Sequence, residues 1–212
     1  MKKTTDTPAD DEFAAACARA WNVLIPTRSR YLAAVSTHYD EVLHEVAERA
    51  ERVGSVGKMD IAALLVWKRL SAQTRWVSVF MSLPDTHVRA VTERAVAAVR
   101  DTALPRSEAA RLGRAILADS KMPGFRKGDA LASAVLTAAA PTRMAVYDER
   151  VQRSLDALGL PLTREPGRYG RYMQLLDDLL AHGGAHAGGW TARDLDTALY
   201  WANGQPHEPA ES

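Results

Sequence analysis

Apolar positions along the chain recur at the three- and four-residue spacing of helices, and the alternation typical of strands is scarce. Windows with this spacing predict helices at residues 11–24, 28–53, 59–73, 83–101, 104–120, about 128 onwards, 148–160, 167–184 and 190–202. The sequence therefore predicts an all-α globule of about nine or ten helices. We expect a single domain over residues 13–203, a disordered tail at 1–12 and a loose tail at 204–212.

Three of these windows support finer predictions. Residues 59–73 are apolar nearly all round, which is typical of a central buried helix, and Asp60 stands where an N-cap residue belongs. In residues 104–120 the spacing favours burial of Leu112 and Ile116. After the start signal of Pro84, one apolar stripe comprises Val88, Val91, Ala95 and Val99.

The composition is ordinary for a folded protein, with 47% apolar residues among 212. No apolar run approaches the roughly 18–20 residues that a membrane-spanning helix needs, and the first residues lack the pattern of a signal peptide. The single cysteine, Cys17, lies among small apolar residues, which predicts a buried helical position and excludes an internal disulfide. We expect a cytoplasmic, monomeric protein with no membrane partner and no cofactor.

Charge and histidine content change this picture only slightly. The net charge is +1, but residues 121–172 carry nine Lys and Arg against five Asp and Glu, which predicts a modest basic face. His182 and His186 are four residues apart without a third ligand type nearby, so we expect no metal site.

A basic turn is predicted between two helices at "KMPGFRKGDALASAVL". Proline fixes φ, and glycine tolerates unusual dihedrals, so Pro123 and Gly124 predict a helix–hairpin–helix. Such a turn directs main-chain N–H groups and the positive end of the second helix towards an anion, and Arg126 and Lys127 add charge at its tip. An ordinary corner between two helices, with solvated basic residues, is the alternative.

Two further polar features interrupt apolar helices. Asp148 stands just before the stripe of a helix, where it is either an N-cap alone or a carboxylate at a helix mouth beside a cleft. Residues 71–74, "SAQT", follow the apolar helix as a polar exit. Each feature taken singly has a purely structural explanation.

Taken together, the three features resemble the motifs of the helix–hairpin–helix DNA glycosylase superfamily, which includes endonuclease III and 8-oxoguanine glycosylase. "LSAQTxxVSV", then "PGFxxxxA" about fifty residues later, then "AVxDxxVxR" follow the order and spacing of that superfamily over residues 59–160. The closing "WTARDLDTALYW" is also similar to the final helix of an 8-oxoguanine glycosylase-like group.

The resemblance implies an enzyme of base-excision repair that flips a damaged or modified base out of double-stranded DNA and hydrolyses its N-glycosidic bond. It implies that Asp148 is the catalytic carboxylate, which stabilises the positive charge that develops on the sugar. Gln73 matches the glutamine that enters the duplex beside the vacated base. The hairpin implies contacts with the DNA backbone, by Pro123, Gly124, Phe125, Arg126, Lys127 and Gly128, and Arg150 adds a phosphate contact from the helix of Asp148.

The sequence departs from that pattern in ways that affect the mechanism. Arg126 replaces the second glycine of the usual hairpin, and Gly128 falls where bifunctional members carry a lysine nucleophile, with Lys127 one residue away. We therefore favour a monofunctional, water-driven glycosylase; the alternative is a hairpin variation that returns Lys127 to the site and gives lyase activity. A non-catalytic DNA-binding protein of the same fold and a helical protein-interaction module, in which Asp148 only caps a helix, are the alternatives.

Overall fold

The computed structural model describes residues 8–70 and 75–202, and within these ranges all regular structure is helical, as the sequence predicts. The ten α-helices are α1 (Pro8–Ala34), α2 (Glu41–Val53), α3 (Lys58–Trp67), α4 (Arg75–Ser82), α5 (Asp85–Arg100), α6 (Arg106–Asp119), α7 (Ala130–Ala139), α8 (Glu149–Ala157), α9 (Arg168–His182) and α10 (Ala192–Ala202). A short 3₁₀ turn, Gly184–Ala187, joins α9 to the segment before α10. The buried apolar side chains form one continuous core.

Helix α7 is the central element. Every residue from Leu131 to Ala139 is buried, and the helix packs against α2, α3, α5 and α6. Close approach of these helices depends on small residues, because a Cβ at Gly113 of α6 would lie 2.8 Å from a methyl group of Val99 in α5. The second group of helices comprises α1, α8, α9 and α10, and α9 joins the two groups by packing against α6.

The prediction that α3 is the central buried helix is wrong. Met59 and Val66 lie on its outer side and are 77% and 74% exposed. An apolar sequence without a clear polar face did not reveal which side of α3 meets solvent, because Ala, Met and Val tolerate either environment. The N-cap of α3 is Gly57, and Asp60 lies at the third helical position, from which its carboxylate accepts the N–H of Gly57 at 2.9 Å.

Helix boundaries near the N-terminus also differ from prediction. Residues 11–24 and 28–34 belong to one helix, α1, which begins at Pro8 inside the expected disordered tail and runs through Pro26. Pro26 removes one main-chain donor but does not end the helix; the break comes at residues 35–40 instead. The expected loose tail at 204–212 lies outside the described residues.

Two smaller predictions have opposite outcomes. The stripe of α5 is confirmed, since Val88, Ala95 and Val99 are fully buried and Val91 is partly buried. Helix α6 instead buries Ala109, Ala110, Gly113 and Leu117, whereas Leu112 is 37% exposed and Ile116 only half-buried. The buried stripe of α6 is therefore rotated by about one residue, because Ala and Gly permit the close packing against α5 and α9 that larger side chains would prevent.

Cys17 is buried in α1, as predicted, and burial raises the pKa of its thiol to about 11. None of the helices within residues 8–70 and 75–202 combines the length and the apolar character that crossing a bilayer requires.

Candidate active site and nucleic-acid interface

Asp148 is the N-cap of α8. Its backbone is extended, with φ −150° and ψ 179°, and one carboxylate oxygen accepts the N–H groups of Arg150 and Val151 at 2.9 and 3.0 Å. Val151 and Leu155 bury the inner face of α8 and thereby fix the direction of its first turn. A carboxylate at this position is also stabilised by the positive end of the helix dipole.

The extended segment that delivers Asp148 is held by side chains from three helices. Tyr169 and Tyr172 of α9 donate to the carbonyl oxygens of Ala145 and Val146, at 2.9 and 3.3 Å. The N–H of Val146 donates to Asp196 of α10 at 2.7 Å.

In α7, the hydroxyl of Ser133 accepts the N–H of Tyr147 at 3.0 Å and lies 3.2 Å from the carbonyl oxygen of the same residue. These hydrogen bonds therefore satisfy main-chain polar groups just before Asp148 in a buried setting without a sheet, and they hold the segment in place.

Lys68 is the functional candidate that sequence reasoning missed. It is the C-cap residue of α3, and its ammonium donates at 2.5 Å to the carboxylate oxygen of Asp148 that does not cap α8. Both side chains are well covered, with 13% and 15% exposed. The ammonium also lies 5.2 Å from the ring centroid of Tyr200. The only signal in the sequence was a charged pair, Lys68 and Arg69, at the end of an apolar helix.

A cavity of about 700 Å³ opens beside this ion pair. Lys68, Val146 and Val151 lie in its wall and link it to Asp148. The rest of the wall comes mainly from α1, α10 and the segment between α1 and α2. Its aromatic members are Tyr31, Tyr39, Trp67, Tyr200 and Trp201. A cavity of this size and aromatic content suits a planar ligand, since ligand sites of about 300–1,000 Å³ are typical.

One side of the cavity is a buried network of charges. Arg193 donates to Asp196 at 2.5 Å and to Asp40 at 3.2 Å, and its guanidinium carbon lies 5.4 Å from the ring centroid of Trp67. Burial raises the pKa of Asp196 to about 7, although Arg193 and the N–H of Val146 oppose the rise. Burial and the nearby Asp40 also raise the pKa of Tyr31 to about 12.

The predicted hairpin forms a tight turn between α6 and α7. Gly124 and Gly128 have φ values of 88° and 75°, which favour glycine. A Cβ at Gly124 would lie 2.6 Å from the ring of Trp76, so the turn packs directly against α4. Arg126 and Lys127 are exposed at the tip, and Pro123 is half-buried.

Phe125 does not fit the predicted DNA contact. Its side chain is fully buried in the core, its N–H donates to the carbonyl oxygen of Met122, and its own carbonyl oxygen accepts Arg114. With the ring and both main-chain groups engaged, Phe125 anchors the turn and offers nothing to a ligand. Sequence reasoning placed it by its position in the motif and had no information on its burial.

Arg114 holds the turn from beneath. Its guanidinium donates to the carbonyl oxygens of Phe125 and Gly128 at 3.1 and 2.9 Å, and to the carboxylate of Asp129 at 2.7 Å. Asp129 also accepts Arg168 at 2.8 Å, and the guanidinium carbon of Arg168 lies 4.6 Å from the ring centroid of Tyr147. A continuous set of contacts therefore joins the hairpin to the residue before Asp148.

Gln73 and its neighbours 71–74 lie outside the described residues. The residues on either side reach the two parts of the site, because Lys68 contacts Asp148 and Trp76 packs against Gly124. Arg150 lies one turn into α8, where its guanidinium carbon is 5.1 Å from the ring centroid of Tyr200. The guanidinium of Arg150 therefore already contacts Tyr200, which lies in the cavity wall.

No known protein family matches this chain, and neither a curated protein nor a solved structure does. Among the described residues, no three His, Cys, Asp or Glu side chains lie together in a way that could hold a metal ion.

Proposed function

We propose that this protein is a DNA glycosylase that hydrolyses the N-glycosidic bond of a damaged or modified base in double-stranded DNA. The observation that carries the proposal is the position of Asp148. Its carboxylate is fixed at the mouth of α8 and tied by Lys68 to the wall of an aromatic cavity of about 700 Å³. A base taken out of the stack needs such an aromatic cavity, and its sugar needs a carboxylate close by. Asp148 does not itself line the cavity, but it contacts Lys68, which does.

The chemical step is a hydrolysis. The bond between C1′ of the sugar and the base nitrogen breaks, the bond between C1′ and a water oxygen forms, and the base leaves with a proton. Positive charge builds on the sugar ring as the base departs, and the anion of Asp148 stabilises that charge. The products are the free base and an abasic site.

Basic residues of the hairpin and of α8 support a double-stranded DNA partner. Arg126 and Lys127 project from the hairpin tip, and a backbone-gripping turn positions a duplex without reading its sequence. A main-chain contact from Gly128 fits this role, since Gly128 is exposed and has nothing within 4 Å of its Cβ position, whereas the ring of Trp76 occupies that position at Gly124. Arg150, held against Tyr200, would contribute from the cavity side.

We propose a monofunctional enzyme. Lys127 is exposed on the turn, and the lysine that does lie on Asp148 is Lys68, which donates to that carboxylate as an ion-pair partner. While this ion pair holds, the ammonium has no free electron pair, so attack on C1′ would first require transfer of its proton to a base. Borohydride should therefore trap no covalent adduct between protein and damaged DNA.

One observation favours a second candidate, a DNA-binding protein of the same design without catalysis. Both carboxylate oxygens of Asp148 already accept hydrogen bonds, one from the main chain and one from Lys68. A carboxylate whose two oxygens both accept hydrogen bonds within the protein can act as a structural link between α3 and α8. The two candidates differ in whether a base is released.

The test is base release from duplexes that carry a panel of oxidised, deaminated and alkylated bases. Asp148→Asn is the informative variant, because asparagine is also a good N-cap residue and α8 keeps its start. Glu149→Gln is the control, since it removes the adjacent, exposed carboxylate. We expect release by the wild type and by Glu149→Gln, and a loss of at least a hundredfold for Asp148→Asn with DNA binding retained.

The other results are equally informative. Binding without base release in every variant supports the non-catalytic candidate. Equal activity of Asp148→Asn and the wild type contradicts the assigned role of Asp148. Absence of DNA binding even at low salt contradicts both candidates and favours a helical protein-interaction module.

A further inference from the structure

The residue after the C-cap of helix α3 has an unusual backbone conformation, which among the described residues other than glycine only Lys121, after α6, shares. Arg69 has a φ of 55°, which lies in the left-handed region that residues other than glycine rarely adopt. The N–H of Arg69 donates to Val66 at 2.9 Å and the N–H of Leu70 to Leu65 at 2.9 Å, which together form a Schellman motif. This motif ordinarily carries glycine at the position of Arg69.

Helix α8 ends with the same motif and shows what the backbone favours. There, the N–H of Gly159 donates to Asp156 at 3.2 Å and the N–H of Leu160 to Leu155 at 3.0 Å, and Gly159 has φ 70°. Both motifs have leucine as their last residue. The two helix ends therefore differ chiefly in the left-handed residue, which is Arg69 in one and Gly159 in the other. Glycine would relieve the strain at position 69, so the arginine costs some stability at this position.

The surroundings of Arg69 indicate what its side chain is for. Arg69 is exposed and lies in the wall of the cavity, next to Lys68. Lys68 is engaged by Asp148, and Arg193 is engaged by Asp40 and Asp196. Among residues 8–70 and 75–202, Arg69 has no carboxylate partner, which sets it apart from the other two cations of the cavity wall. Its charge is felt inside the cavity, because it opposes the rise that burial causes in the pKa of Tyr39.

We propose that Arg69 binds the phosphodiester of the nucleotide whose base enters the cavity, and that the left-handed backbone holds its guanidinium at the cavity mouth for this purpose. This inference rests on the proposed function. A guanidinium suits the task because its planar donors can contact two phosphate oxygens at once.

The test exploits the opposite effects expected on stability and on binding. Arg69→Gly should raise the melting temperature by about 2–4 °C, because it removes backbone strain. It should also weaken binding to a duplex that contains a tetrahydrofuran abasic analogue by roughly five- to tenfold at low salt. The slope of log K against log salt concentration should fall by about one, which corresponds to one lost phosphate contact.

Three further variants separate charge from conformation. Arg69→Asn tolerates the left-handed region and should bind as weakly as Arg69→Gly, whereas Arg69→Lys keeps the charge and should retain most of the affinity. Arg94→Ala is the matched control for lost charge. It removes an exposed cation from α5, which forms none of the cavity wall, and should leave binding within twofold of the wild type.

Wild-type affinity in Arg69→Gly overturns the proposal, as does an equal loss in Arg94→Ala. A loss of affinity for a free mononucleotide without any loss for the duplex also overturns it, because the site would then serve a small phosphate ligand. Absence of base release from damaged duplexes, with the Arg69 effect on binding intact, counts against the proposed function alone, since the abasic duplex has no base to release at this position.

Discussion

The ammonium of Lys68 and the carboxylate of Asp148 form an ion pair at 2.5 Å across 80 residues of sequence. Each partner is also placed favourably within its own helix. Lys68 lies at the C-terminal end of α3, where the helix dipole favours a cation, and Asp148 lies at the N-terminal end of α8, where it favours an anion. The pair therefore joins two helix ends whose dipoles already favour these charges.

The first prediction concerns the energy of this pair. Lys68→Met and Asp148→Asn should each lower the free energy of unfolding by about 1–3 kcal/mol, because each leaves a covered polar group without its partner. The double variant should lose less than the sum, with a coupling energy of about 1–2 kcal/mol. Urea unfolding of the wild type and the three variants measures this coupling. A value within error of zero would show that solvent or another group replaces the lost partner.

The second prediction concerns pH. Burial raises the pKa of Asp196 from an ordinary value of 3.8 to about 7, with Arg193, Lys68 and Asp40 as the charged groups that act on it. Between these values the unfolded chain has already lost the proton that the folded protein retains. The contribution of Asp196 to stability therefore becomes less favourable as pH rises from about 4 to about 7 and is level above that.

Carboxyl-detected NMR titration of the folded protein measures this pKa directly. In unfolding experiments, the difference in stability between the wild type and Asp196→Asn should shift against the wild type as pH rises through the same window. An Asp196 resonance that titrates near pH 4 would contradict the prediction and would mean that Arg193 outweighs the effect of burial.

The third prediction concerns the contact between the hairpin and α4. Gly124→Ala introduces a Cβ 2.6 Å from the ring of Trp76 at a φ of 88°, so both the dihedral and the contact are unfavourable. We expect a loss of about 2–4 kcal/mol and a change in tryptophan emission. Gly128→Ala is the matched control: its φ is 75° but its added Cβ meets nothing within 4 Å, and it should lose only about 1 kcal/mol. Equal losses for the two variants would show that the ring of Trp76 moves aside freely.

The fourth prediction concerns the support beneath the hairpin. Arg114→Met removes the donors to Phe125, Gly128 and Asp129, and should lower stability by about 2–4 kcal/mol and speed hydrogen exchange across residues 122–128. Arg111→Met, on an exposed face of the same helix, should change stability by less than about 0.5 kcal/mol. Unchanged exchange in the hairpin of Arg114→Met would contradict the assigned role.

The positions of the helices could be predicted from the sequence with more success than the faces that they bury. Regular spacing and the start signal at Pro84 identified α5 and its buried stripe, and Gly159 marked the end of α8. The inner face of α6 was missed because the spacing drew attention to Leu112, whereas the tertiary contacts select Ala109 and Gly113. Local patterns carry periodicity, but only packing decides which small residues are enclosed.

The candidate site was predictable in part. Asp148 and the hairpin glycines were found because each occupies a helix end or turn with strong local preferences. Lys68 was missed because its partner is 80 residues away, and nothing in a single sequence ties an ammonium to a distant carboxylate. The aromatic residues of the cavity were missed for the same reason: they come from α1, the segment between α1 and α2, α3 and α10, which only the tertiary structure brings together.

Ser133 gives the buried helix α7 a role beyond filling the interior. Its hydroxyl contacts both the N–H and the carbonyl oxygen of Tyr147. The position of α7 along its axis therefore affects the position of the next residue, Asp148. A slide of α7 by a fraction of an ångström would disturb at least one of these bonds and displace the carboxylate. Replacing an alanine on the far side of α7 by a larger residue should therefore shift the Asp148 carboxylate relative to the cavity without changing any residue that lines the cavity.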